Sequence, residues 1–569
     1  MSAVRKPGEY RITRRGLLQG TLIAGAAVAA PSSLARVRAS DIQAWNDADL
    51  DALHTPGPYA DGEHHIFMHG VASGDPVSTS VILWTRVTPT PDSVPGSGVG
   101  PDVQVRWEVA ADPDFRDVVR AGVVTARAAQ DHTVHVDPYG LRPGTVHWYR
   151  FTVLDGEQAG RSSRIGRTRT APGEGEDVEK LTMAVCSCAN LEAGYFSAYG
   201  DIARRAGEGE IDVVVHMGDY IYEYASGQYA GKYGVVRPHV PTWEIRTLAD
   251  YRSRHGHYRR DVELQDAHAA APWVVTWDDH EIADDSWSDG AEGHGAFHGE
   301  WAVRRDAAMQ AYLEWLPVRA TSPSRGGHLY RTLRFGGLAE LHMLDLRSYR
   351  SAPGMMRPAA RHAPDRTIMG SRQFGWLSDR LATADARWNL IGTSVMMSPL
   401  NLLHVDEAIR SRLMQMVGTD VAGTPVNVDQ WDGYVADRDR LLEQLASRHA
   451  HGRTVFLTGD IHSEWAGHIR HGEQVVAAEM VCSSVTAANV DEILGATEDN
   501  PVSQTAERHV LAHNRHISHV DLDAHGYAVL TVHPHHVEMS WHRVADVTVA
   551  GSPVAPGPRR RYDGALLTV

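Results

Sequence analysis

Carboxylates follow apolar, strand-like runs at three places in this chain, where they could bind metal ions. Asp219 comes directly after a run of β-branched residues, residues 278–285 hold five carboxylates and one imidazole, and Asp460 and His462 follow a third apolar run. The charges in 278–285 would repel one another strongly unless cations neutralised them. Carboxylates and imidazoles bind metals, and a carboxylate can bridge two cations. The set predicts a hydrolytic centre with two metals.

Two cysteines separated by one residue, Cys186 and Cys188, follow a short apolar run. A continued strand would place both side chains on one face, but the strand is expected to end here, so the turn separates their directions. One thiol is then expected in the core. Cys188, farther beyond the strand, is the favoured metal ligand, and Cys186 stays open as the alternative. With Cys482 the cysteine count is odd, which excludes a complete disulfide framework.

The elements that must position these residues alternate along the chain. Apolar runs at residues 181–185, 213–216 and 273–277 read as strands, and helical patterns occupy residues 195–205 and 248–258. A βαβ order places the carboxyl ends of parallel strands at one edge of a sheet, where ligands bind in α/β folds. A fourth strand, at residues 454–458, precedes Asp460 and His462. These two residues share a face if the chain there is extended.

Residues 62–170 show a different pattern, with short alternating runs between Gly and Pro residues. The runs predict an all-β sandwich, and residues 141–150 resemble the turn and strand of fibronectin type III-like modules. This domain offers no catalytic constellation, so it is interpreted as a lid or packing partner. Residues 171–177 read as a polar linker, and residues 180–569 as the catalytic domain.

The first 35 residues show the pattern of an export signal. Arg14 and Arg15 precede a weakly hydrophobic run rich in Gly and Ala, and Ser33-Leu34-Ala35 offers small residues for cleavage. This pattern predicts a twin-arginine signal peptide over residues 1–35, hence the twin-arginine translocase as a partner and a secreted or periplasmic location. No later run approaches the ~20 apolar residues of a membrane-spanning helix, so no transmembrane anchor is expected in the mature form.

The bulk composition limits the possible functions. At 569 residues the chain is long enough for at least two domains. Its formal charge of −16 at pH 7 argues against nucleic-acid binding through a basic surface. The GxSxG elbow, the Walker A loop and the HExxH motif are all missing, which excludes serine hydrolases of that type, P-loop motors and zincins.

From about residue 67 to its end the chain resembles the alkaline phosphatase D (PhoD-like) family of the calcineurin-like metallophosphatase superfamily. The motifs that carry the resemblance lie at residues 186–190, 218–223, 277–285, 298–319, 344–349, 392–399 and 457–465. The resemblance implies an α/β fold in four layers, α-β-β-α, in which two sheets lie between helices. It also implies hydrolysis of phosphodiesters and phosphomonoesters, of small molecules or of polymers.

The same resemblance implies Fe(III) and Ca²⁺ as cofactors. By motif, the metal ligands are Cys188 and Tyr222 on iron, Asp219 as the bridge, and Asp279, Asp460 and His462. Thiolate and phenolate are strong anionic donors for a trivalent ion, whereas carboxylates suit calcium.

The chemistry expected at such a centre is in-line attack on phosphorus by a metal-activated hydroxide or oxide. His280 either donates a proton to the leaving alkoxide or holds a carboxylate in place. Arg347 either clamps a phosphate or forms a salt bridge with Asp345 or a surface carboxylate. Asn190 is a further candidate for phosphate contact.

Two other functions stay open on the sequence alone. One is a secreted protein that binds cell-wall polymer through the β-sandwich and holds structural calcium in its acidic loops. The other is a redox metalloenzyme exported by the twin-arginine route, with a metal thiolate site at residues 186–188.

Overall fold

The computed structural model describes residues 65–231, 233–353, 358–400, 427–447, 452–565 and 567–568. The predicted signal peptide at residues 1–35 lies outside these ranges and stays a prediction. Among the helices in these ranges, none has both the length and the apolar character needed to cross a bilayer.

Strands make up most of the regular structure. In chain order they are β1 Val71–Val77, β2 Ser80–Arg86, β3 Val103–Ala110, β4 Val118–Ala126, β5 Thr133–Val136, β6 Val146–Val153, β7 Gly166–Arg169, β8 Leu181–Cys186, β9 Val213–His216, β10 Pro272–Val275, β11 Arg331–Phe335, β12 Ala339–Met343, β13 Trp388–Thr393, β14 Thr454–Thr458, β15 Glu464–His471, β16 Gln474–Val481, β17 Ile517–Asp521, β18 Gly526–Val532, β19 Val537–Val544, β20 Val554–Tyr562 and β21 Leu567–Thr568.

Helices connect the strands of the catalytic region. The α-helices are α1 Ser197–Gly207, α2 Leu248–Tyr258, α3 Val262–Ala270, α4 Trp301–Trp315, α5 Pro358–Arg361, α6 Gly370–Thr383, α7 Val435–Ala446, α8 Val490–Leu494 and α9 Pro501–His513. The start of α2 is fixed by a capping box, because the Thr247 side chain accepts from the backbone of Asp250 and the Asp250 side chain accepts in return.

Two sheets carry the catalytic region. The ten-stranded sheet has the order β21-β20-β19-β18-β8-β9-β10-β1-β2-β5, and the seven-stranded sheet the order β11-β12-β13-β14-β16-β15-β17. In the first, β8, β9 and β10 are parallel, and in the second β12, β13, β14 and β16 are parallel. Strands β8, β9 and β14 are buried along their whole length, as expected for strands covered on both faces.

Three apolar cores separate four layers. Met183, Val215 and Leu457 belong to the core between the two sheets. On the outer side of the ten-stranded sheet, residues of α1 to α4 pack against side chains such as Val214. On the outer side of the seven-stranded sheet, α6 and α7 pack against residues such as Phe456. The order of layers is therefore α-β-β-α, as predicted, and is that of a metallophosphatase-like α/β fold.

The amino-terminal segment is attached differently from the prediction of a self-contained sandwich. Strands β4-β3-β6-β7 form a separate four-stranded sheet, but β1, β2 and β5 join the ten-stranded sheet, where β1 pairs with β10 in parallel. Side chains of both groups, among them Val81, Leu83, Val105 and Phe151, share one core. The second layer of the sandwich is thus the end of the large sheet. The predicted domain limits of 62–170 and 180–569 stay predictions.

Candidate metal centre

The predicted ligands follow strands whose carboxyl ends meet at one place. In the register of the ten-stranded sheet, Cys186 of β8 lies beside His216 of β9, and His216 lies beside Val275 of β10. The residues that follow these three strands therefore emerge side by side. Strand β14 of the facing sheet ends at Thr458 and adds Asp460 from the opposite side.

At both strand ends that carry a Gly-Asp pair, the glycine is needed because another segment of the same chain approaches closely. Gly218 has φ of +107°, and a Cβ there would lie 2.6 Å from the Cβ of Asp278. A Cβ on Gly459 would lie 2.7 Å from the Cβ of Ser187. A larger residue at either position would push the ligand-bearing turns apart.

Asp219 lies at the middle of a cluster of buried side chains that could bind metal ions. Its Oδ2 is 3.5 Å from the Sγ of Cys188 and accepts a hydrogen bond from the Tyr222 hydroxyl at 3.2 Å. The same hydroxyl is 3.5 Å from Nε2 of His462. Nδ1 of His462 is 2.9 Å from the carbonyl oxygen of Ala488, so the ring turns Nε2 toward the cluster.

The possible ligand atoms fall into four groups, three of which share Asp219. In one group the atoms of Cys188, Asp219 and His462 lie within 4.8 Å of one another, and all three residues are buried. A second group contains only carboxylates, those of Asp219, Asp278, Asp279 and Asp460. The first donor set suits a transition metal and the second a hard cation that prefers oxygen. Two further groups, Asp219–Asp279–His280 and Asp279–Asp284–Asp285, extend the cluster.

The backbone at the cluster is in an unusual conformation. Cys188, Asp219, Asp460 and His462 have φ values of +59°, +56°, +65° and +50°. Non-glycine residues enter this left-handed region at a cost, and such strain concentrates at functional sites. Asp460 and His462 are therefore not in extended chain, the condition under which they would share a face. A tight turn directs Asp460 to the carboxylate group and His462 to the thiol group.

The two neighbouring cysteines have separate environments. Cys186 is fully buried in the core under α1, and its thiol lies 3.9 Å from the Val215 carbonyl oxygen. Cys188 faces Asp219. Burial raises the pKa of the Cys188 thiol well above its usual value, and the Asp219 carboxylate raises it further. A cation bound here would favour the thiolate instead.

Arg347 is buried against the carboxylates. Its guanidinium donates to Asp278 at 2.5 and 2.7 Å and to Asp429 at 2.8 Å, and lies 3.3 Å from Asp279 Oδ1. Burial lowers the pKa of Arg347, but these carboxylates outweigh it and raise the pKa well above the usual value. Arg347 thus neutralises part of the negative charge of residues 278–285. Arg347 contacts Asp345 through its backbone N–H, at 3.2 Å, and its guanidinium pairs with the other carboxylates instead.

Glu281 and Glu223 hold the turns of the site. Glu281 accepts backbone N–H bonds from Asp219 at 3.1 Å, from Tyr220 at 2.6 Å and from Asp278 at 2.8 Å. One carboxylate thereby ties together the turns after β9 and β10. Glu223 Oε2 lies 2.8 Å from Nδ1 of His280 and fixes the position of that ring.

His280 and Asn190 take different positions around the cluster. The His280 ring stacks on Tyr222 with centroids 4.4 Å apart. Burial lowers the pKa of His280, but the nearby carboxylates, with Asp279 foremost, raise it well above its usual value. Asn190 is fully buried, donates to the Tyr229 carbonyl at 2.7 Å and accepts from the Glu192 backbone at 3.1 Å. Its contact with phosphate stays a prediction.

Sequence reasoning missed several residues that support the site. Asp429 bridges Arg347 and Arg350, and these arginines, against the effect of burial, lower its pKa to about 2. Gln430 donates to Asp460 Oδ2 at 3.1 Å. Nothing in the local sequence indicates that 429–430 reach this site. For Glu223 a signal exists, because it directly follows the predicted ligand Tyr222.

Comparisons with known proteins identify the family of this chain. A sequence profile of the family "PhoD-like phosphatase" matches residues 183–541, and the profile of the "PhoD-like phosphatase, N-terminal domain" matches residues 54–172. Alkaline phosphatase D of Bacillus subtilis (strain 168) is 37% identical over 503 residues, which cover 86% of this chain and 79% of that protein.

Solved structures give the same result. The structure of PhoD matches with a TM-score of 0.78 and 34% identity, over 89% of this chain and 92% of that one. The purple acid phosphatase PPD1 from yellow lupin (Lupinus luteus) seeds matches with a TM-score of 0.50 and 10% identity over 85% of this chain and 73% of that one, which indicates a shared fold alone. This chain belongs to the PhoD-like phosphatase family and is a phosphoric ester hydrolase.

Proposed function

We propose that this protein is an exported, metal-dependent alkaline phosphatase and phosphodiesterase with a centre of Fe(III) and Ca²⁺. The observation that carries the proposal is the shared position of Asp219, whose carboxylate belongs both to a group with thiol and imidazole and to a group of carboxylates. A bridging carboxylate between unlike donor sets is the arrangement expected for two different metals.

The donor types assign each residue a role. Cys188, Tyr222 and His462 would hold the iron, and Asp279 and Asp460 the calcium, with Asp219 between them. When bound, the metals supply Lewis acidity that activates water and withdraws charge from the phosphoryl oxygens. Burial of the whole cluster keeps bulk water away from these charges, which strengthens their interaction with a phosphate.

The surrounding side chains position the metal ligands and could supply the proton for the leaving alkoxide. Arg347, buried against Asp278 and Asp279, holds the carboxylates in position. His280, anchored through Nδ1 by Glu223, would either give a proton to the leaving alkoxide or keep Asp219 in place through its backbone N–H, which lies 3.4 Å from Asp219 Oδ1.

The test is hydrolysis of bis(p-nitrophenyl) phosphate and p-nitrophenyl phosphate by the exported protein, together with metal analysis. We expect turnover of both esters that a chelator abolishes and added Ca²⁺ restores. Metal-dependent turnover of neither ester would refute the proposal and favour a binding protein with structural calcium. A redox-active cofactor other than iron, with no hydrolysis, would favour a redox enzyme.

Tyr222→Phe should remove or shift a visible absorption band of the purified protein. A phenolate bound to Fe(III) absorbs visible light by charge transfer from ligand to metal, and the substitution deletes one oxygen while keeping the ring, so packing changes little. The measurement is the absorption spectrum of variant and parent at equal iron content.

The two cysteines provide the matched control for the colour experiment. Cys188→Ser should shift the band, whereas Cys186→Ser, in the core, should leave it almost unchanged. Mild removal of calcium, which is colourless, should abolish activity and leave most of the colour. A colourless and fully active enzyme that contains only zinc or magnesium would refute the iron assignment alone.

Replacing Arg14 and Arg15 by lysine should trap the precursor inside the cell. The twin-arginine translocase recognises the arginine pair itself. Lysine keeps the charge but should not support export. Fractionation followed by immunoblotting measures the exported share. The matched control is Arg11→Lys, outside the pair, which should leave export intact. Normal export of the double variant would refute the twin-arginine route but not the phosphatase assignment.

A further inference from the structure

Four aromatic rings form a cluster beside the candidate metal centre. The rings of Tyr222 and Tyr229 lie 5.6 Å apart at 18°, those of Tyr224 and Tyr229 lie 5.2 Å apart, and Tyr224 lies 5.2 Å from the ring of His280. With the contact between Tyr222 and His280 at 4.4 Å, the four rings form one connected group. We call these four residues the aromatic wall.

The wall runs from the metal centre toward the surface. Tyr222 and His280 are fully buried and touch the predicted ligand Asp219, whereas Tyr224 and Tyr229 are only partly buried. Tyr224 and Tyr229 also pack against the small apolar cluster of Cys188, Tyr222 and Ala487. Parts of the two outer tyrosines are therefore accessible within one residue contact of the centre.

This placement has a consequence for the alcohol part of the substrate. A phosphate held at the centre carries its ester groups outward. A flat ester group that extends along Tyr224 and Tyr229 would lie against their rings. Tyrosine rings bind flat apolar groups through stacking or edge contacts and keep the hydroxyl available to water. A small alkyl alcohol gains little from the same surface.

We propose that the aromatic wall selects phosphodiesters in which the alcohol that stays on the phosphate after hydrolysis carries an aromatic ring, such as a nucleoside. The inference rests on the proposed phosphohydrolase function and names the substrate class for that site. Tyr224 and Tyr229 are then the residues that determine specificity, while the metal ligands carry the reaction.

The test compares two diesters with the same leaving group, thymidine 5′-(p-nitrophenyl) phosphate and methyl p-nitrophenyl phosphate. The parent enzyme should prefer the thymidine ester in kcat/KM by about 5- to 20-fold, as expected for one or two aromatic contacts. Tyr229→Leu and Tyr224→Leu should each reduce that ratio by about 3- to 10-fold, and Tyr229→Phe, which keeps the ring, should preserve it. Tyr139→Leu, a 70% exposed tyrosine outside the wall, should change neither rate.

The outcomes separate the inference from the function on which it rests. Hydrolysis of both esters with the same ratio in the parent and in all variants would refute the aromatic wall alone. An equal loss on both esters in Tyr229→Leu would show that the ring only covers the centre, and would also refute it. Hydrolysis of neither ester by the parent would refute the proposed phosphodiesterase activity itself. Absorption spectra identify any variant that has lost its metal, and Tyr229→Phe then decides the question.

Discussion

Asp219→Asn should lower the turnover of a phosphodiester by well over ~100-fold in a protein that still folds. The substitution keeps the side-chain volume but removes one negative charge between two cations, and Asp219 belongs to three of the four possible ligand groups. Asparagine also tolerates the φ of +56° at this position, so the backbone keeps its turn. Steady-state kinetics and metal content measure the effect.

The matched control changes an aspartate far from the site. Asp114→Asn, in an exposed pair with Arg116, should keep full turnover and metal content. Near-normal activity of a folded Asp219→Asn protein would show that the reacting centre lies elsewhere.

Arg347→Met should lower the free energy of unfolding by about 3–5 kcal/mol, the usual effect of removing one partner from a buried ion pair. The side chain is fully buried, and its loss would leave Asp278, Asp279 and Asp429 without their common cation. Methionine fills a similar volume, so the effect comes from charge and hydrogen bonding more than from a cavity. Guanidinium unfolding of both proteins at equal metal loading measures it.

Arg116→Met provides the comparison on the surface. Arg116 pairs with Asp114 at 2.8 Å, but both side chains are exposed, so its loss should change stability little. Equal stability of the parent and Arg347→Met would mean that the metals alone balance the buried carboxylates.

The sequence predicted the positions of the main elements well, because their patterns are local. Helix α2 and strand β14 begin and end at the predicted residues, 248–258 and 454–458. The predicted strand at 273–277 instead spans Pro272–Val275, and the side chains of Thr276 and Trp277 donate to the Leu344 carbonyl oxygen and the Asp345 carboxylate. The family was also predictable, because its motifs follow one another along the chain.

Contacts between distant segments could not be predicted in the same way. The approach of Asp429 to Arg347 joins residues 82 positions apart and depends on how the sheets pack. The left-handed turn at Asp460 and His462 could not be predicted because spacing alone does not reveal a left-handed backbone. The roles of Glu281 and Glu223 likewise depend on which backbone groups the turns present.

The pairing of β1 with β10 affects how this protein can be divided or recombined. If a gene fragment began at residue 180, the edge of β10 would lose its neighbour, and the hydrogen-bonding groups beside Trp273 would be open to other chains. Such a fragment would tend to aggregate even though it holds every predicted metal ligand. In the whole chain the amino-terminal segment covers this edge, so exchange of modules between relatives would have to move both segments together.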